Sequence, residues 1–427
     1  MLDRTIAPPF KTINKVDIIE AKTENLENGI KIHSIHVSGQ PVIRMEFIFK
    51  AGLSYEKEHE RMLSYFTLKM LNEGTKNKTV TQINDFFDGY GSFLELSHGA
   101  DNITVTVYSL SKHIKQLLPL VQEILFESIF PEHELENLKT ITAQNLEVNS
   151  EKTSYLASQY FKENLFGKNY PYGKSIQKAD ILASNQQNIT GFYSQNILNK
   201  PFDIILSGEI VESDLEYIKK IFSEYKIQKN INLVSAIQIQ SSHQRDFIFE
   251  KEGSMQSSIR FGKLLFNRTH PDYIPFLVLN EVLGGYFGSR LMMNIREEKG
   301  FTYGIQSSTY SLRRDGYLTI GTDVKREYTQ QTIDEIIKEI KILQREIIPK
   351  EELEKVKNYM LGSFAGGLNS AFAIADHFKM IYFDGLDYNY FKRYIAGILN
   401  VSAAELQNLA IKYLQVDSML EVVVGGK

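Results

Sequence analysis

The chain has 427 residues, which suits two or three domains rather than one. Hydrophobic residues make up 43% and charged ones 23%, so there is apolar material for cores and disorder as the main state is excluded. A net charge of −4 argues against a general nucleic-acid binder, and the absence of cysteine excludes disulfides, thiol nucleophiles and cysteine-type zinc sites.

From the N-terminus, Met1 to Pro9 show no basic segment followed by an apolar run. The expected location is therefore cytoplasmic, or periplasmic where a leader has been trimmed. No stretch of about 18 apolar residues occurs, so no membrane insertion is expected. Two β-type runs come first, Gly29 to Val37 and Val42 to Lys50, the second alternating Ile43, Met45, Phe47 and Phe49 with more polar neighbours. Leu63, Phe66, Met70 and Leu71 then form the stripe of a helix with one buried face. A helix near Val80 to Phe87 is stopped by Gly89 and Gly91, and strands follow near Phe93 to Leu96 and Ile103 to Tyr108. Helical patterns cover Ile114 to Glu127, Glu132 to Leu146 and Tyr155 to Leu165. A strand at Phe202 to Leu206 and a helix at Ser213 to Tyr225 close the first half.

Residues 228–244 are polar, rich in Asn, Gln and Ser, and read as an interdomain linker. The pattern then restarts with strands near Asp246 to Glu250 and Ser257 to Phe266 and a helix at Tyr273 to Leu283. A short helix at Arg290 to Lys299 precedes two strands joined through Asp315-Gly316. Helices at Gln331 to Gln344, Lys350 to Ser363 and Ala403 to Tyr413 lead to a final strand, Met419 to Val424.

The halves share sequence as well as order. Pro131 to Lys139 lies 218 positions before Pro349 to Lys357, and five of the nine positions are identical. In both, Pro stands at a helix start, where its missing N–H costs nothing. The expectation is an α+β chain of two homologous domains, each a mixed, mostly antiparallel sheet with helices packed on one face. The domains are placed at 1–227 and 245–427.

No two of the nine histidines are four apart, so no helix presents the His pair of a zinc protease. There is no nucleophile elbow, Walker A loop or dinucleotide fingerprint. The informative segment is Gly284 to Tyr303. Ser289 is expected to cap a short helix that Gly300 ends, leaving Arg296 on its last turn and Tyr303 at the start of a strand. A guanidinium near a phenol suits a peptide carbonyl or a developing oxyanion. An Arg offsetting a helix dipole beside a half-buried Tyr is the plainer alternative.

Leu283-Gly284-Gly285, Ser289-Arg290-Leu291, Ile295-Arg296-Glu297, Lys299-Gly300 and Tyr303, in that order, resemble the second-domain signature of the pitrilysin/insulinase metallopeptidases. Leu2-Asp3-Arg4 with Pro8, Gly74-Thr75, Tyr170 to Gly173 and Ser207-Gly208 resemble further segments of the family, short processing-peptidase-like members above all. Active members carry H-x-x-E-H on a first-domain helix and a third ligand, Glu, roughly 75 residues on. Counting back from Gly74-Thr75, the resemblance puts the two His positions on Tyr65 and Lys69, the catalytic Glu on Leu68 and the distal Glu on Asn145. An Asn-Ala pair of the substrate-binding edge strand falls on Glu95-Leu96. No zinc ligand survives, so no metal is expected in this chain.

The Arg/Tyr pair is kept as Arg296 and Tyr303, and Gly284, Gly285 and Gly288 match a substrate-guiding loop. The resemblance therefore implies a non-catalytic subunit that lends Arg296 and Tyr303 to peptide in the zinc site of an H-x-x-E-H-bearing partner. The alternative it leaves is a homodimeric structural or peptide-binding protein.

Overall fold

Apolar alternation along the chain builds eleven strands. They are β1 (Lys22–Asn25), β2 (Lys31–His36), β3 (Val42–Phe49), β4 (Phe93–His98), β5 (Ile103–Leu110), β6 (Asp203–Gly208), β7 (Asp246–Glu250), β8 (Gln256–Leu265), β9 (Thr302–Ser311), β10 (Gly316–Lys325) and β11 (Leu420–Gly425). The computed structural model describes Thr5, Ile13 and residues 15–57, 60–227 and 238–427. The first sheet has the order β1-β2-β6-β3-β5-β4 and the second β7-β11-β8-β10-β9. Only β2–β6 and β7–β11 are parallel; every other pair is antiparallel. With β1 set aside, the two orders match strand for strand.

Helices of the first half are α1 (Leu63–Lys69), α2 (Val80–Gly89), α3 (Ile114–Phe126), α4 (Glu132–Ser150), α5 (Thr153–Phe166), α6 (Lys178–Ala183), α7 (Gln186–Tyr193) and α8 (Glu212–Ser223). The second half has α9 (Tyr273–Asn280), α10 (Thr329–Arg345), α11 (Lys350–Gly366), α12 (Ala371–Phe383), α13 (Asn389–Asn400) and α14 (Ala403–Tyr413). The repeated sequence segments open α4 and α11 in the same way. Pro131 and Pro349 are the flanking residues, and each carbonyl accepts from the backbone N–H of the Leu four residues on, at 3.0 Å. Lys139 and Lys357, the last identical positions, are both buried. The duplication is therefore present in topology and in local detail.

Each sheet has its main helical layer on one face. Side chains alternate across a strand, so β3 serves two cores. Ile43, Met45, Phe47 and Phe49 join the core under α3 and α8, while Ile48 joins Ile35, Ile205 and three residues of α12. On the second sheet, Leu420, Val422 and Val424 of β11 pack against Ala157, Phe161 and Leu165 of α5. Each half thus lends one helix to the far face of the other half's sheet. The sequence pattern placed no element between Ser363 and Ala403 and so did not single out α12 or α13; it also passed over β1, α6 and α7.

Polar contacts fix the exchanged α12. Arg44 of β3, nearly fully buried, donates to both carboxylate oxygens of Asp376 (3.0 and 3.2 Å) and to the carbonyl of Phe372 (2.9 Å). Lys379 pairs with buried Glu46 at 2.6 Å, and Tyr382 Oη donates to Asp203 at 2.7 Å.

Of the expected linker, residues 228–237 lie outside the described residues, as do Leu2, Asp3, Arg4 and Pro8. The linker's end is strapped to α5, with Gln240 N donating to Phe166 O and Ser242 N to Asn164 O. Among the described residues, no helix is long and apolar enough to cross a membrane.

Candidate functional site

The segment from Glu281 to Tyr303 bends twice before it reaches β9. A π-helical turn, Glu281–Gly285, ends α9 and loses helical geometry at Gly284 (φ −162°, ψ 15°). A Cβ on Gly284 would sit 2.7 Å from Ser307 Cβ and 2.8 Å from Ser307 N, so glycine is what lets the turn lie against β9. Asn280 locks the contact by donating to Ser307 O at 3.0 Å and accepting from Ser307 Oγ at 2.6 Å. A Cβ on Gly285 would meet the Glu281 carboxylate, and one on Gly288 the Tyr286 ring. These glycines are thus explained first by packing.

A second π-helical turn, Met292–Glu298, carries Arg296. Ser289 does not cap it as expected: its hydroxyl is buried without a hydrogen-bond partner among the described residues, and its carbonyl accepts from Met293 N instead. Arg290 is a structural residue, forked onto Glu352 of α11 at 2.8 and 2.9 Å. The Arg296 guanidinium lies over the Phe287 ring (4.6 Å to its centre) and 3.0 Å from Glu297 Oε1, yet Nη1 has no aligned hydrogen bond among the described residues. Gly300 turns the chain in the left-handed region (φ +65°), its N–H donating to Arg296 O.

Tyr303 then projects from β9 at 96% exposure. The alternative of a half-buried Tyr is excluded by that exposure. No hydrogen bond joins Arg296 to Tyr303 among the described residues. Gly284, Gly285, Phe287 and Tyr303 line a cavity of about 900 Å³, with Lys162 and Arg260 also on its lining. Arg296 and Gly288 are not on that lining.

The positions matched to the metal ligands divide likewise. Tyr65 and Asn145 line one cavity of about 240 Å³, together with His98. Leu68 is instead fully buried in the first core. Lys69 turns its ammonium to the carbonyl of Leu96 on β4 at 3.1 Å. Glu95, beside it, accepts from Tyr108 Oη. A phenol, an amide and an ammonium do not fit zinc, which takes imidazole, thiolate or carboxylate. Among the described residues, no group of three His, Asp or Glu is placed to hold a metal.

Sequence reasoning did not single out what surrounds this cavity. Ser64 Oγ donates to Glu56 Oε1 at 2.6 Å, and Ser64 N donates to the same oxygen at 2.9 Å. Glu56 so caps the start of α1, where Met62 adopts a left-handed conformation (φ 71°) and offers no side-chain cap. His98 Nε2 lies 2.8 Å from Ser64 Oγ. With the Ser64 proton spent on Glu56, Nε2 carries the imidazole hydrogen and Nδ1 is left bare, a tautomer assigned from the network. Separations of 8 and 34 positions along the chain give no periodic signal that would have found this trio.

Burial first, then the charge of Lys69, pushes His98 down from 6.5 to about 4. Its folded value lies below its unfolded one, so the unfolded chain takes up the proton first. Stability from neutral His98 is full above pH 6.5 and falls as the pH falls from 6.5 to 4. The expected loss is roughly 2–3 kcal/mol. Urea midpoints across this range should fall less steeply in His98→Phe; equal slopes in both proteins would count against the assignment.

Residues 31–179 match the model of "Insulinase (Peptidase family M16)", and residues 184–360 that of "Peptidase M16 inactive domain". The uncharacterized zinc protease YmxG of Bacillus subtilis is 24% identical over 354 residues, 82% of this chain and 85% of that one. The non-peptidase homolog YmxG of Helicobacter pylori is 21% identical over 429 residues, 95% of each. The mitochondrial-processing peptidase subunit alpha of Pongo abelii is 22% identical over 400 residues, 85% of this chain and 74% of that one. In structure, the peptidase M16 inactive domain from Pseudomonas fluorescens shares the fold with a TM-score of 0.86, at 24% identity over 95% of this chain and 98% of that chain.

Proposed function

Because the chain belongs to the insulinase-type peptidase family, M16, we propose that it is the non-catalytic subunit of a heterodimeric zinc endopeptidase. One observation carries the reading. The positions matched to the zinc ligands and the water-activating Glu hold Tyr65, Lys69, Asn145 and Leu68, while Arg296 and Tyr303 remain at theirs. The zinc and the attacking water then come from an H-x-x-E-H-bearing partner.

This chain supplies donors. Tyr303, exposed on the edge strand β9, offers a hydroxyl with no partner among the described residues. Arg296 is held by a stacked ring and one neighbouring carboxylate, contacts it can exchange for a peptide carbonyl. Both donate to the scissile region of the bound peptide, and each acts to the extent that its bond strengthens as charge develops on oxygen. The match to a non-peptidase homolog and to a processing-peptidase subunit supports the reading. A cytoplasmic site of action is part of the proposal.

The second reading, a homodimeric peptide-binding protein, is favoured by one feature. β4 is the terminal strand of its sheet and leaves an edge to which an extended peptide can add. Mixing decides between them. Peptide cleavage is expected only when this chain and its H-x-x-E-H-bearing homologue are combined. Equal cleavage by the homologue alone would refute the lending role.

A further inference from the structure

Helix α5 comes from the first half, yet Ser158 and Lys162 on it line the cavity that Tyr303 lines. Ser154, Ser158 and Lys162 lie four apart, so they form one stripe of the helix. The first two are spent on Arg260 of β8. Its Nε donates to Ser158 Oγ at 3.1 Å and its Nη2 to Ser154 O at 3.2 Å. Nη1 donates to Ile259 O at 2.9 Å and lies 3.7 Å from Asp323, the one carboxylate among the described lining residues. Arg260 is thus tied in place with its counter-charge.

Lys162, one turn further on, is not. Its side chain is exposed and its ammonium has no hydrogen bond or ion pair among the described residues. The protein around it nevertheless takes water away, which draws its pKa below the ordinary lysine value. A carboxylate supplies the interaction that this lost water would give. Apolar surface lies in the same cavity. Phe287, Tyr303 and Tyr310 are exposed on its lining, and Tyr310 is stacked on Tyr317 across the β9–β10 pair at 4.6 Å between ring centres. Its volume, about 900 Å³, is near the top of the roughly 300–1,000 Å³ of ligand pockets and gives room for a stretch of peptide.

We propose that Lys162 makes this cavity select peptide segments in which Glu or Asp stands among aromatic or aliphatic residues. The inference rests on the reading that peptide lies beside Tyr303. The ammonium donates to the side-chain carboxylate, and neighbouring apolar side chains lie on the exposed rings. Lys or Arg at the same peptide position is disfavoured by like charge. Arg296 takes no part in the choice.

Fluorescence anisotropy on the full chain tests it. The probes are short peptides with a labelled N-terminus and an amidated C-terminus, holding one Tyr and one position set to Glu, Gln or Lys and moved along the peptide. At one position or more, Glu is expected to bind at least about tenfold more tightly than Gln, the lower end for a hydrogen bond to a charged group. About 1 M salt should shrink that ratio. Lys162→Met should bring it to about one, and Lys162→Glu should turn the preference towards Lys. Equal binding of Glu and Gln at every position, a preference that survives in Lys162→Met, or no binding at about 1 mM overturns the proposal. A gain seen only when a Gln peptide is given a free C-terminus also overturns it, since the carboxylate is then the chain end. Cleavage of the Gln peptide by the mixture with the H-x-x-E-H-bearing homologue reports separately on the lending role. A kept Glu preference without cleavage would strike that role and support the acidic selection.

Discussion

Arg296→Ala is expected to lower turnover of the proposed complex by about a hundredfold to a thousandfold, the range found when one oxyanion donor is removed, about 2.7–4 kcal/mol. Assembly and folding should hardly change. The side chain is about one-third exposed and its ion pair is with the adjacent Glu297. Arg296→Lys should recover only part of the loss, because an ammonium keeps the charge but not the planar fork. Tyr303→Phe should act in the same direction, since its hydroxyl has no partner among the described residues to lose. A plain dipole-offsetting Arg would behave differently: Ala would cost about 0.3–1 kcal/mol of stability and no turnover. Steady-state kinetics on the complex, with kcat and KM separated, distinguishes the two. Full kcat in Arg296→Ala would end the proposed role.

The second large effect is on stability. Arg44→Ala is expected to cost about 3–5 kcal/mol, because it removes one member of a buried charge network rather than the whole of it. Arg44 Nη2 lies 2.9 Å from Glu46 Oε2 and 3.0 Å from Asp376 Oδ1. Without it, Glu46 stays buried with Lys379 as its remaining cation. The same side chain ties β3 to α12, so amide protection in α12 should fall with global stability. Urea denaturation of the purified chain measures the first effect and hydrogen exchange the second. A loss below about 1 kcal/mol would show that the exchanged helix is held by apolar packing alone.

Much of the fold was legible. Alternation in Val42–Phe49 gave β3, and the paired Pro131 and Pro349 segments gave the duplication that the matching strand orders display. What the pattern could not give was the exchange of α5 and α12. A strand buried on both faces shows that something covers each face, not which part of the chain does so. Ala371–Phe383 reads as apolar nearly all round, which fits a helix between two layers but marks no partner.

The candidate site was legible in another way. Spacing alone left Arg296 and Tyr303 ambiguous; the ordered motifs around them singled them out. Ser289 was misjudged because a residue before a helix suggested a side-chain cap, whereas the turn begins through its carbonyl. The Glu56, Ser64 and His98 network could not be seen at all, since a loop, a helix and a strand meet only in the folded chain.

The most direct test of the central claim is affinity co-purification from the source cells, with mass spectrometry and zinc analysis of the eluate. The account predicts a stoichiometric homologue carrying H-x-x-E-H and about one zinc per heterodimer. Recovery of this chain alone or as a homodimer, without zinc, would contradict it.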